Sequence, residues 1–197
     1  MWGFRYERGH MKLVLFSGGM DSALLLCALA ASGEDVRAMA FDYSQHHAGE
    51  ELLAARLISK LLGVQLSMVC LPNIVRDGEP GAVVPARNMM FASYAANVVH
   101  REGGGDIYFG FCREDAEGFA DCRPDFIEAL NSLFVTSGLD VCAHAPFIYM
   151  TKAEIMDRCV DLKHAEEVFF HSYSCYRGTQ PPCGECDACR KRESACL

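Results

Sequence analysis

KLVLFSGGMDS, residues 12–22, carries the chain from an apolar strand through two glycines into a helix. The strand is expected over 12–16 and the helix over about 22–32, closed by Gly33. Two glycines let a backbone turn tightly and approach a ligand closely. The helix start adds unpaired N–H groups and a partial positive charge, so the loop suits an anion. Ser17 and Ser22 add hydroxyl donors. The loop lacks the lysine of a GxxxxGK[ST] phosphate loop and does not follow GxGxxG, so it is not read as a dinucleotide site. A plain glycine turn with a serine cap is the alternative that these residues alone leave open.

Outward from this loop, strand and helix alternate. Further strands are expected at 36–41, 64–71, 107–111 and 141–145, and helices at Ala48–Leu62, 88–100, 124–136 and from 151 onward. In the second helix Ala54, Leu57, Ile58 and Leu61 fall at the spacing that buries one face, and Gly63 stops it. Pro124 suits a first helical position, and Thr151 with Glu154 has the form of a capping box. Strands separated by helices imply crossover connections. The expected fold is therefore α/β, a Rossmann-like, mostly parallel sheet with helices on both faces. Ligands of such sheets bind at the carboxyl ends of the strands. The loops expected there are 17–22, 42–47, 85–88 and 112–123.

Composition narrows the function. The chain has 197 residues, 51% of them apolar, with 18 Lys and Arg against 26 Asp and Glu for a net charge of −8. That content fills one core and excludes a disordered tail protein. The longest uncharged run, 61–75, is too short for a bilayer and holds Gly63, Gln65, Pro72 and Asn73, so no membrane span is expected. The acidic balance argues against nucleic acid as a direct substrate. No basic region precedes a long apolar run near the start, and an odd count of 11 cysteines does not make a disulfide framework, so a cytoplasmic protein is expected. Residues 1–10 show no periodicity and are expected to be a leader or a frayed arm.

The pattern Cys175-x7-Cys183-x2-Cys186-x2-Cys189 offers four soft ligands among Gly178, Pro181, Pro182 and Gly184. Four thiolates suit one tetrahedral zinc per chain in a closed, structural site, with iron–sulfur ligation as the rival. Cys27, Cys70, Cys142 and Cys159 sit singly in apolar stretches and are expected in the core. Apolar periodicity ends after Phe170, which sets 171–197 apart as a zinc-binding segment.

SGG-x-DS after a strand resembles the pyrophosphate loop of the ATP pyrophosphatases, a HUP-like α/β family. The resemblance implies an ATP pyrophosphatase domain over 11–170. It implies ATP contacts from Phe16, Ser17, Gly18, Gly19, Met20, Asp21 and Ser22, with magnesium beside Asp21. Further segments resemble the 7-cyano-7-deazaguanine synthases, the QueC family of queuosine biosynthesis: FDYSQHH at 41–47, VPARN at 84–88, GFCREDAEGFADCRPDF at 110–126, KAE at 152–154 and SCYRGTQPPCGECDAC at 174–189. These segments follow the family's order across the chain from residue 12. The zinc spacing together with the DCRPDF-like segment is the most specific match.

The resemblance implies an ATP-dependent carbon–nitrogen ligase acting on 7-carboxy-7-deazaguanine. Its carboxylate is adenylated, ammonia gives the amide, and a second activation dehydrates the amide to the nitrile, with pyrophosphate and AMP- or ADP-type products released. A homodimer is also implied. Asp21, Arg87 and Lys152 are the candidate catalytic residues. Asp42 and Tyr43 are placed beside the adenosine. Gln45, His46, Arg87, Asn88, Asp115, Asp121, Arg123 and Asp125 are placed around the substrate. A guanidinium fork suits a carboxylate or a phosphate, and carboxylates accept from guanine-type donors. Asn88 as a helix cap, Lys152 as a surface lysine and the 115–125 acids as a solvated loop are the plain alternatives.

Ser44 and Ala86 stand where the family usually has glycine, Ala116 and Glu117 replace an aromatic–serine pair, and 71–84 looks shortened. These departures keep open a paralogue that stops at the amide or passes the activated deazaguanine to an amine of a protein or nucleic acid. A pyrophosphate-loop tRNA thiolase using Cys112 or Cys122, and a non-catalytic ATP-binding module, are the other readings.

Overall fold

The computed structural model describes residues 11–71 and 83–195. Within them β1 (Met11–Leu15), β2 (Val36–Asp42), β3 (Gln65–Cys70), β4 (Gly105–Phe109) and β5 (Val141–His144) form a parallel sheet in the order β3-β2-β1-β4-β5. The expected fold class is the one observed. Alternating side chains of the central strands enter two separate cores. Val14, Ala38 and Ala40 pack under α1 (Met20–Ala30), α2 (Ala48–Leu62), α6 (Lys152–Cys159) and α7 (Ala165–His171). Leu13, Met39, Phe41, Ile107 and Phe109 pack under α3 (Arg87–Arg101) and α5 (Pro124–Thr136). The strand order reverses direction at β1, so the crevice between the β1 and β2 loops and the β4 loop opens at the carboxyl ends.

Several elements form as the local signals dictate. α2 ends on Gly63 at φ 68° in the left-handed region. Pro124 opens α5, and the Thr151–Glu154 capping box is complete at the start of α6. Other expectations need correction. α1 begins at Met20 rather than at 22, so Asp21 lies in its first turn. In α2 Ala54, Ala55, Ile58 and Ser59 are buried, while Leu57 is exposed. Ala55 and Ile58 join the first core while Ala54 packs against Tyr173, Cys175 and Cys189, which rotates the buried stripe.

The stretch 112–123 is not a loop. It forms α4 (Arg113–Gly118) and a 3-10 turn (Ala120–Cys122). Asn88 does not cap α3. Ala86 holds that position at φ 58°, and Asn88 is buried inside the first turn. Cys27 and Cys159 are core residues, but Cys70 is exposed on edge strand β3, and Cys142 on edge strand β5 is only partly covered. α7 continues the helical pattern past Phe170 to His171, and α8 (Asp187–Ser194) follows the cysteine cluster. The expected leader at 1–10 and most of the shortened segment lie outside the described residues.

Ser44 and Ala86 share an uncommon backbone. Their φ angles are 65° and 58°. L-residues reach that region at a cost of roughly 1–2 kcal/mol, and both residues are exposed, so no buried contact offsets it. Ser44→Gly and Ala86→Gly should each stabilise the fold by about 0.5–1 kcal/mol, after allowance for glycine's greater unfolded-state entropy. Urea titration of the two variants checks this, and a drop in stability for both would contradict the left-handed assignment.

Candidate active site

A cavity of about 560 Å³ lies at the carboxyl ends of β1, β2 and β4. One wall is the glycine loop. Gly18 stands at φ +85°, and a Cβ there would run into the Glu51 carbonyl of α2 and lie 3.1 Å from the Ala55 nitrogen. Only glycine lets the loop pass this close to α2. Ser17 Oγ accepts from the Gly19 N–H at 3.2 Å and meets Ser22 Oγ at 3.2 Å, and Ser22 Oγ also donates to the Gly19 carbonyl at 3.1 Å. No side chain caps α1, so its first-turn N–H groups remain available at the cavity. The β4 end approaches closely as well, since a Cβ on Gly110 would sit 2.7 Å from Ser22 Cα.

The opposite wall is aromatic and cationic. Phe41 stacks on Phe91 with centroids 4.1 Å apart, and Tyr43 leans against Phe91 at 5.5 Å. Arg87 Nη1 donates to Tyr43 Oη at 3.1 Å, and its guanidinium lies over the Tyr43 and Phe91 rings. Burial works against the Arg87 charge, but Tyr43 and Asp121 outweigh it and hold the group protonated. Its Nε is buried without a hydrogen-bond partner, and among the described residues no carboxylate pairs with it. A half-buried guanidinium that lines a cavity in this state suits an anion.

A smaller recess of about 140 Å³ adjoins the loop and shares Ser17, Gly19, Asp21, Glu51, Asp115 and Tyr176 with the main cavity. Here Lys152 is buried rather than a surface lysine. Its ammonium pairs with Asp21, lies 3.9 Å from Asp115 and donates to Cys112 Sγ at 3.3 Å. Glu114 accepts from the Lys152 backbone N–H at 3.0 Å. Burial opposes the ammonium, yet Asp21 and Asp115 hold its pKa above the usual lysine value. Burial likewise raises the Asp21 carboxyl, and Asp115 and Glu114 add to the rise against the pull of Lys152. Asp21 Oδ1 and Glu114 Oε2 are buried with no partner. Two carboxylates thus face one ammonium, with that of Glu114 on the backbone beside it. The unpartnered Asp21 oxygen and the neighbouring Asp115 fit a hard cation such as magnesium, which takes oxygen ligands.

Of the residues singled out in the sequence, Phe16, Ser17, Gly19, Asp21, Ser22, Tyr43, Gln45, His46, Arg87, Asn88, Asp115 and Asp121 line the main cavity. Met20 and Lys152 line the recess, and Gly18 lies behind the loop against α2. Gln45 is fully engaged, accepting from Tyr43 N–H and donating to the Phe41 carbonyl and to Glu51, so it builds the β2 turn. Asn88 donates to the Asp121 carbonyl at 3.4 Å and to Cys122 Sγ at 3.7 Å, joining α3 to the 3-10 turn. Asp42, Arg123 and Asp125 do not line the cavity. Asp42 accepts from Ser44 N–H, Arg123 donates to the Ala116 carbonyl, and Asp125 is exposed in the first turn of α5.

Sequence reading passed over Glu51, Phe91, Phe119 and Tyr176, all of which line the cavity. Tyr176 was visible only as the neighbour of Cys175. His47 meets the Tyr176 carbonyl at 3.2 Å and Glu51 at 3.4 Å. Burial works against its charge, but Glu51 and that carbonyl raise its pKa overall.

The four tail cysteines converge. Their sulfurs all lie within 4.8 Å of one another, with Cys183 and Cys189 3.9 Å apart. Ligands about 2.3 Å from a tetrahedral zinc stand about 3.8 Å from each other, so one ion fits. A multi-iron cluster, with each sulfur on a different iron, needs them spread more widely. Burial opposes ionisation of Cys175, but N–H groups of Cys183, Thr179 and Arg177 bring it down to about 5, and N–H groups of Glu185 and Cys186 lower Cys183. Cys175, Cys183, Cys186 and Cys189 would hold a zinc ion, which would crosslink the segment and leave no open position for chemistry.

Comparison with known proteins gives a consistent result. The family model described as "Queuosine biosynthesis protein QueC" matches residues 11–76 and 67–197. A 7-cyano-7-deazaguanine synthase of Clostridium kluyveri is 35% identical, over 93% of this chain and 91% of its own. The synthase of Nitratiruptor is 32% identical over 91% and 90%, and that of Staphylococcus haemolyticus 30% over 92% and 89%.

The charge imbalance around Lys152 makes its two sides unequal. Lys152→Met strands buried carboxylates and should cost about 3–5 kcal/mol, whereas Asp21→Asn relieves repulsion and should cost far less. Chemical denaturation of both variants tests this, and equal losses would contradict the imbalance. Cys186→Ser should lose zinc and cooperative unfolding together, as metal analysis and thermal melts of one preparation will show.

Proposed function

The chain belongs to the QueC family of queuosine biosynthesis proteins, and on that premise we propose that it makes 7-cyano-7-deazaguanine from 7-carboxy-7-deazaguanine, ammonia and ATP. The observation that carries this reading is the pairing of two anion receptors across one cavity. The glycine loop and α1 start lie across the cavity from the half-buried Arg87, which among the described residues has no carboxylate in ion-pair contact and has an unpartnered Nε. One suits a triphosphate, the other a carboxylate, and the reaction needs both. Residues 11–170 act as the ATP pyrophosphatase domain and 171–197 as the zinc-binding segment.

A carboxylate is a poor electrophile, and a phosphoric anhydride supplies the leaving group. In the first step a substrate carboxylate oxygen attacks the α-phosphorus, and the bond to the β-phosphate oxygen breaks. The leaving pyrophosphate develops charge against the loop N–H groups, Ser17, Ser22 and Lys152, where preorganised donors are worth most. Arg87 orients the carboxylate, and the Phe41–Phe91–Tyr43 wall offers flat apolar surface to a ring system. Asp21 and Asp115 would hold magnesium with the phosphates, and the ion would offset their charge. Ammonia then attacks the acyl carbon, expelling AMP with loss of a proton. Activation of the amide oxygen and loss of the second AMP with two protons leave the nitrile. Asp121, at the cavity wall, suits the N–H edge of the deazaguanine.

The thiolase reading requires a nucleophilic thiolate. Burial, together with Asp21 and Asp115, pushes the Cys112 thiol up, and burial with Asp115 and Asp121 pushes Cys122 up to about 12. Both thiols are held protonated, which favours the carbon–nitrogen ligase. A homodimer and a cytoplasmic setting accord with the family. Among the described residues, no helix is long and apolar enough to cross a membrane.

Incubation of the chain with ATP, magnesium, ammonia and 7-carboxy-7-deazaguanine should give the nitrile by mass spectrometry, with pyrophosphate released. Arg87→Met should reduce kcat/KM by roughly 10²–10³-fold. Accumulation of amide without nitrile would replace this reading with the amide-forming paralogue, and no pyrophosphate with any deazaguanine acid would leave only a binding module.

A further inference from the structure

We propose that Asp106, Cys142 and His144 form a second metal site, of zinc type and with an open coordination position, on a half-exposed face of the β4–β5 sheet edge. The site follows from strand register. Asp106 pairs with Cys142 and Tyr108 with His144 across parallel strands. Side chains two apart share a face, so Asp106, Cys142 and His144 project together, while Ile107, Val141 and Ala143 point into the core beneath α3 and α5. On the projecting side the buried core takes residues from β1 and β2 but none from β5.

The three ligand atoms, a carboxylate oxygen, a thiol sulfur and an imidazole nitrogen, lie within 4.8 Å of one another. His144 Nε2 is 3.0 Å from Asp106 Oδ1, close to the separation of two ligands on one tetrahedral ion. Tyr108 stacks on the His144 ring at 5.1 Å and 25°, which limits its rotation. The Asp106 and His144 side chains are 18% and 40% exposed, so an ion can enter from solvent. None of the three lines the ATP-site cavity or its recess.

The donor set selects the metal. Magnesium and calcium take oxygen ligands, whereas one thiolate, one imidazole and one carboxylate suit zinc. Three protein ligands leave the fourth position to water. Binding displaces the Cys142 thiol proton to solvent. It also shifts the proton of a neutral His144 to Nδ1, so that Nε2 and the Asp106 oxygen turn from each other to the ion. The tail cysteines make a closed site. This one is open and half-exposed, and its ion is the exchangeable one. It would also staple the four-residue edge strand β5 to β4.

The test uses the full chain with its tail site loaded. Zinc is titrated by equilibrium dialysis with elemental analysis, and thermal midpoints are read with and without added zinc. Wild type should bind two ions per chain, with the second removed first by a chelator. His144→Gln and Cys142→Ala should each retain one, with at least a tenfold loss of affinity for the second. Added zinc should raise the wild-type midpoint and leave those of the variants unmoved. One ion per chain in wild type would overturn the proposal, and so would a second ion retained by both variants.

Discussion

A single buried ammonium organises the functional end of the fold. Lys152 Nζ, at the start of α6, is surrounded by Asp21 from the first turn of α1 and by Asp115 and Cys112 from the α4 region. Desolvating a lysine costs several kcal/mol unless carboxylates replace the lost water. Here they do so in excess, leaving Asp21 Oδ1 and Glu114 Oε2 unpaired. Three elements far apart in the chain are thereby fixed at one point, and that point borders the glycine loop. The unspent negative charge would be offset if, as proposed, the cavity takes a cation together with phosphates.

The cysteine-rich segment acts on the same loop from outside. Tyr173 N–H donates to the Gly18 carbonyl at 2.9 Å. Gly178 packs so closely on the β2 turn that a Cβ would come within 2.8 Å of the His46 carbonyl. Tyr176 reaches the cavity and is held by His47. A metal ion on Cys175, Cys183, Cys186 and Cys189 would take no part in catalysis and would still decide whether one wall of the cavity exists.

Much of this was legible in the sequence because local chemistry determined it. Residues 48–62, 124–136 and the Thr151 cap follow from periodicity, proline and capping signals that need no tertiary information. The glycine loop and the four-cysteine spacing carry their chemistry in their residue types. The burial of Lys152 was not legible, since a lysine at a helix start is usually solvated and only the fold brings Asp21 to it. Leu57 misled because the apolar stripe is wider than the face α7 and the sheet cover. Asp125 and Arg123 share a motif with Asp121, yet the turn at 120–122 points one residue inward and the others out. Ser44 and Ala86 were visible as departures, but only the dihedral angles show what they cost.

The sheet order β3-β2-β1-β4-β5 also bears on synthesis. As the chain leaves the ribosome, β1, β2 and β3 can assemble first, since each pairs with a strand near it in sequence. β4 must then return to β1 across a long intervening stretch, the kind of closure that slows folding. Tyr173, which fastens the Gly18 carbonyl, is translated later still. The first loop to be made is therefore the last to be locked, and a nascent chain passes through a stage with its main cavity shaped but unlatched.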